Sequence, residues 1–154
     1  MKKKSNKADK PALHAAMGLL ARREHSAFEL CNKLKTRGFA EEEITEVVKE
    51  LEGKGYQSDK RFTEAYLEMR KKRGFGSIRI RQELKEKGIS SELIETAFSA
   101  DIDSWVSLAN SVRVKRFGDG EPKEFKERMR QAQFLQYRGF TSEQIKRAIK
   151  NYED

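Results

Sequence analysis

The chain has 154 residues, and its 33 Lys and Arg against 25 Asp and Glu give a formal net charge of +8. Apolar residues make up 36% and charged residues 38%, which suits several shallow cores shared between helices better than one deep interior. A single cysteine, Cys31, excludes an internal disulfide and a Cys-rich zinc site, and no apolar run approaches the roughly 18 residues that span a bilayer.

In chain order, residues 1–10 come first, with Lys2, Lys3, Lys4, Lys7 and Lys10 offset by Asp9 alone. No long apolar stretch with a cleavage pattern follows, so this reads as a flexible basic arm and not a signal peptide. Beyond it, Glu, Lys, Leu, Ala and Arg fill the periodic stretches, and the only prolines, Pro11 and Pro122, are placed at expected helix starts. The class is all-α.

Three turns set the organisation: Arg37-Gly38-Phe39, Lys87-Gly88-Ile89 and Arg138-Gly139-Phe140, with glycines 50 and 51 residues apart. Leu34, Leu84 and Leu135 lie four before each glycine, and Ile44, Ile94 and Ile145 lie six after it. That register predicts a tandem array of three three-helix repeats, at residues 11–54, 55–99 and 100–154. At each turn the basic residue closes a helix, the glycine takes the left-handed cap and the apolar residue folds back.

The first repeat opens on the stripe Leu13, Ala16, Met17 and Leu20, and its last helix begins after Ala40 with Glu41, Glu42 and Glu43 at its positive end. In the second, Ser58 or Asp59 caps a helix with the stripe Phe62, Ala65, Tyr66 and Met69, and Ser90 caps the helix after the turn. The third shows Ile102, Trp105, Ala109 and Val112. A polar loop at 118–122 then precedes Phe125 and Met129, and Thr141 with Gln144 has capping-box spacing.

Catalytic signals are weak. His14 and His25 are eleven residues apart, roughly 16 Å along a helix and too far to share a metal. Cys31 reads as a small buried apolar residue, and Gly74-Phe75-Gly76 lacks the rest of a phosphate loop. No enzymatic activity, cofactor, metal, membrane or small-molecule substrate is expected.

The basic surface carries more. Residues 70–87 hold Arg70, Lys71, Lys72, Arg73, Arg79, Arg81, Lys85 and Lys87 against Glu83 and Glu86. This excess suits phosphate or an acidic protein groove; a solvated face that keeps the chain soluble is the plainer reading. Phe75 and Ile78 are expected in the core, and Tyr56, Tyr66 and Tyr137 as packed side chains. Arg113, Lys115 and Arg116 are expected to offset a helix C-terminus. Gln82 extends the Arg79 face, but Glu83 and Glu86 border it, which disfavours sequence-specific DNA reading.

Together the three turn patterns, the DKRFTEAY stretch from Asp59 to Tyr66 and the stretch from Arg73 to Ile89 resemble the RecX family, regulators of the RecA recombinase. The resemblance covers roughly residues 10–152. It implies an elongated, curved, cytoplasmic array that associates with RecA nucleoprotein filaments, contacts single- or double-stranded DNA, and restrains ATP hydrolysis and strand exchange. Asp59, Phe62, Ala65 and Tyr66 match the family's central helix. Arg73, Gly74, Phe75, Gly76, Ile78, Arg79 and Arg81 match its central turn and helix. Ser77 stands where many relatives have proline, and Ala40 and Gln131 depart from the regular cap and apolar choices. The alternative is a general DNA-binding or architectural helical protein acting without RecA, and a protein-interaction adaptor is a third reading.

Overall fold

The computed structural model describes residues 10–99 and 102–149. Residues 1–9 of the basic arm, and residues 100–101 at one repeat boundary, lie outside them. Among the described residues the chain is all helical, in the order α1 Pro11–Arg22, α2 Ala27–Thr36, α3 Glu41–Gly53, α4 Asp59–Lys72, α5 Ser77–Glu86, α6 Ser91–Phe98, α7 Ile102–Phe117, α8 Phe125–Arg138 and α9 Ser142–Ala148.

Local chemistry starts and stops these helices. Pro11 takes the first position of α1, where its missing N–H is no loss. Ser26 and Glu29 form a capping box on α2, and Thr141 and Gln144 form another on α9. Ser58 caps α4 and Ser90 caps α6, each accepting the N–H three residues on. No side chain caps α3, whose first turn carries three glutamates instead. Pro122 departs from expectation: it is buried in the loop, and α8 begins three residues later, with Glu124 at its N-cap.

At the repeated turn, Gly38, Gly88 and Gly139 have φ of 89°, 77° and 99°. The next N–H returns to the leucine repeated four before each glycine: Phe39 to the Leu34 carbonyl at 3.3 Å, Ile89 to Leu84 at 3.1 Å and Phe140 to Leu135 at 3.1 Å. Those three leucines are fully buried, and Ile44, Ile94 and Ile145 are at most 4% exposed. Truncating a leucine so placed costs about 2–5 kcal/mol.

The apolar residues form two clusters, not one per repeat. Repeat 1 packs Ala12, Leu13, Ala16, Leu19, Leu30, Leu34, Ile44, Val47, Val48 and Leu51 into its own core. Repeats 2 and 3 share one continuous core, running from Phe62 through Ile80, Leu84, Trp105 and Leu135 to Ile149. Several expected core positions are instead at the surface: Met17, Ile78, Tyr56 and Tyr137 are exposed, the last by 80%. Ile78 faces out because Ile80, two residues on, takes the buried side of α5.

At both junctions between repeats the carbonyl of the basic turn residue accepts a hydrogen bond from the same register position, by side chain in one case and backbone in the other. Ser26 Oγ donates to the Lys87 carbonyl at 2.8 Å, and Gly76, 50 positions after Ser26, donates its N–H to the Arg138 carbonyl at 2.8 Å. Each turn therefore sits on the start of the preceding repeat's middle helix. The surroundings differ. At the first junction Phe28 lies against Gly88 and polar groups bridge the rest: Ala27 N–H to Asp59 Oδ1 at 2.8 Å, Gln57 Nε2 to the His25 carbonyl at 3.2 Å and Arg61 to Glu24 at 2.9 Å. At the second, the shared apolar core lies beneath, and the Ile78 N–H donates to the Gly139 carbonyl at 2.9 Å.

Candidate functional site

The eight basic residues of 70–87 do not form one surface. Arg70 is largely buried and clamps Glu83 through two hydrogen bonds of 2.8 and 2.7 Å, with its guanidinium 3.8 Å from the Phe75 ring centre. Arg79 covers the same ring at 4.5 Å and approaches Glu83 at 3.8 Å. Arg81 pairs with Glu95 and stacks on Phe98. Lys87 reaches across the first junction to Glu29 at 3.4 Å. Each of these four meets a carboxylate in place, Arg70 and Arg79 sharing Glu83, and Lys85 is exposed on α5. Phe75, half-buried, packs against the second core with arginines around its ring.

The other three, Lys71, Lys72 and Arg73, join residues far along the chain. They line a cleft of about 380 Å³ together with Lys115 and Arg116 from the end of α7 and Arg138 from the end of α8. The remaining lining is Gly74, Leu108, Ser111, Val112 and Phe134, with no carboxylate. Sequence reasoning read Lys115 and Arg116 as ordinary helix-end charges and Arg138 as a turn residue. The one available signal was that three helices of adjacent repeats all end in basic residues.

Position in the cleft follows from packing. Gly74, at φ +82°, turns the chain tightly enough to lie under Val112. Arg138 donates from Nη1 to the Arg73 carbonyl at 3.2 Å, and its guanidinium lies 5.0 Å from Phe75 and 5.3 Å from Phe134. Arg116 covers Phe134 at 5.5 Å and Lys71 covers Trp105 at 4.6 Å. The aromatic faces hold these three cations without cancelling their charge. Lys72, Arg73 and Lys115 are exposed, and among the described residues none of the six enters an ion pair.

Three helix C-termini open near this cleft, each equivalent to roughly −0.5 charge. Six full positive charges exceed that sum, so the cleft stays electropositive. Its apolar floor and cationic rim fit a polyanion that spreads charge along its length.

Arg113 plays a different part from the expected one. It is buried on the other side of α7, donating to Asn110 Oδ1, to the Gly120 carbonyl at 3.2 Å and to Gln131 Oε1 at 3.3 Å. It thereby ties the 118–122 loop to α8 and accounts for the polar residue at position 131. His14 is exposed. Cys31 packs half-buried against the first core, where burial pushes its thiol pKa up and away from the reactive thiolate.

The second junction is thus a basic cleft between two helical repeats, and comparison with known proteins agrees on the repeats. The family description "RecX, first three-helix domain" matches residues 12–51, the second domain matches 58–97 and the third 104–149. The Regulatory protein RecX of Legionella pneumophila (strain Corby) is 41% identical over 139 residues, covering 90% of this chain and 93% of the relative. That of Halorhodospira halophila is 42% identical over 135 residues, covering 87% and 83%. The crystal structure of RecX from Lactobacillus salivarius superimposes with a TM-score of 0.76 at 21% identity, over 92% of this chain and 95% of that one. With all three domains matched in order and relatives above 40% identity over most of its length, the chain belongs to the RecX family of regulatory proteins.

Proposed function

We propose that this chain attaches to the RecA nucleoprotein filament and restrains its ATP hydrolysis and strand exchange, through binding alone and without a catalytic group of its own. The observation that carries the reading is the convergence of Lys71, Lys72, Arg73, Lys115, Arg116 and Arg138 on a cleft free of carboxylates. Such a cleft takes the phosphate backbone of the filament's nucleic acid without regard to sequence. The repeats add further contacts along the same partner, so modest local affinities multiply. Attachment across several recombinase subunits then opposes the conformational cycling that accompanies hydrolysis.

The test is charge reversal at three of the exposed cations. The triple variant Lys72→Glu, Arg73→Glu, Lys115→Glu should keep its helicity and lose at least about ten-fold in affinity for RecA filaments. Its restraint of ATP hydrolysis should fall in parallel. A folded variant that inhibits as the parent does refutes the role of the cleft. A second reading, DNA attachment without RecA, is favoured by the sequence-neutral lining of the same cleft. It predicts equal affinity for bare DNA and filaments at matched ionic strength, where the first reading predicts preference for filaments.

A further inference from the structure

The helix that ends in the basic cleft begins in a second one. Between repeats 1 and 2 lies a cleft of about 390 Å³, floored by Phe62, Ala65, Tyr66 and Met69 of α4 and rimmed by Arg23 and Lys87. Its frame repeats the first. Phe62, Ala65, Tyr66 and Met69 each stand 46 positions before Leu108, Ser111, Val112 and Lys115, while Arg23 and Lys87 stand 50 and 51 before Arg73 and Arg138. The two inter-repeat junctions thus hold equivalent clefts with different linings.

The difference is one of charge. At the first junction Arg23 and Lys87 both bind Glu29, at 3.1 and 3.4 Å, and Glu24 holds Arg61 at 2.9 Å. Burial acts to raise the Glu29 pKa, but Arg23, the Ser26 N–H and Lys87 outweigh it and hold the carboxyl below its ordinary value, so it is charged at neutral pH. Burial and the neighbouring Glu83 push the Tyr66 hydroxyl up to about 12, so it is neutral there. The wall therefore presents charges that cancel one another, with no surplus of cations to draw phosphate as at the second junction, around an open apolar floor where Ala65 and Met69 are exposed.

The two clefts flank one depression. A shallow depression along α4, lined by Ala65, Glu68, Met69, Lys72 and Arg73, shares residues with both. Seven residues of helix, roughly 10 Å, separate Ala65 from Lys72. We infer that the first-junction cleft receives an apolar side chain from the protein component of the partner, alongside the phosphate held at the second junction. This rests on the reading that the partner is protein-coated nucleic acid, and it adds how one helix distinguishes the coated form from bare DNA: the apolar pocket adds affinity only where protein lies within about two helical turns of the phosphate.

The test uses the full chain carrying Ala65→Trp, which fills the cleft from an exposed position, beside the double variant Lys72→Glu, Arg73→Glu. Affinities are measured for a single-stranded oligonucleotide and for RecA assembled on it, at one ionic strength. Expected for Ala65→Trp are unchanged circular dichroism, unchanged affinity for the bare oligonucleotide and at least about ten-fold weaker attachment to the filament. Met69→Gln, also exposed, should lower filament affinity in the same direction and serves if the tryptophan variant misfolds. Unchanged filament binding by the folded variant overturns the inference. So does an equal loss on bare oligonucleotide, which would make the cleft a nucleic-acid contact, or conversion of a parent dimer to monomer in sedimentation, which would make the occupant a second copy. Undiminished binding by the charge variant counts against the phosphate reading alone. A parent chain that does not attach to filaments overturns both.

Discussion

His25 is 1% exposed, with Nδ1 3.1 Å from the Arg23 carbonyl and Nε2 2.9 Å from Lys33 Nζ. A neutral ring donating from Nδ1 and accepting at Nε2 satisfies both contacts; a protonated ring sets two cations against each other. Burial lowers its pKa, the Arg23 and Lys33 charges add to that, and the Arg23 carbonyl and Glu29 offset only part. The folded state therefore binds the proton less readily than the unfolded chain. The stability this contributes is complete above the unfolded value of about 6.5 and is lost as pH falls toward the folded one. Glu29, also held low, adds its own loss only below about 4.5. Chemical denaturation between pH 7.5 and 5 should show stability falling by at most ~1.4 kcal/mol per pH unit. His25→Phe, which copies the residue 50 positions on, should flatten that slope; an unchanged slope assigns the acid sensitivity elsewhere. None of this was legible in the sequence, where His25 registers only as too far from His14 to share a metal. Its partner Lys33 is local, but its burial under Gln57 and the second repeat is not.

At the scale of the element, spacing was informative wherever the determinants are local. The turn register follows from residues within ten positions of each other, and the Ser58, Ser90 and Thr141 caps and the glutamate start of α3 from residues within four. The stripe on α4 was misleading because periodicity marks an apolar face without saying what covers it. Phe62 is buried, while Ala65 and Met69 floor an open cleft. Glycines divide by the same logic. Gly38 is required for its φ of +89° and has open space around it, so Gly38→Ala should cost about 1 kcal/mol from backbone strain alone. Gly76 has an ordinary φ of −87°, yet a Cβ there would lie 2.3 Å from the Gly139 carbonyl carbon and the Phe140 nitrogen. Gly76→Ala should cost about 3 kcal/mol by prising the second junction apart, measured by urea denaturation. Equal effects of the two substitutions would contradict the close approach.

At the scale of the molecule, three repeats in sequence enclose two apolar cores in space. Repeat 1 encloses its own apolar cluster and meets repeat 2 through His25, Ser26, Gln57 and Asp59, whereas repeats 2 and 3 bury one core together. Amide hydrogen exchange should report this division. Leu34→Ala should lower protection across α1 to α3 and leave α4 to α9 unchanged, while Leu84→Ala should lower it from α4 through α9. Loss of protection throughout the chain from either substitution would show a single folding unit.

The array and its register could be read from 154 letters because each repeat's turn, cap and buried leucine lie close together in the chain and recur. The division of the charges could not. Arg70 meets Glu83 and Arg81 meets Glu95 across helix pairs, and Lys87 meets Glu29 58 residues away. Meanwhile Lys71, Lys72 and Arg73 gather with Lys115, Arg116 and Arg138. Coulomb attraction falls with distance in space, not along the sequence, so only the packing of one repeat on the next decides which cations are cancelled and which stand ready for a partner.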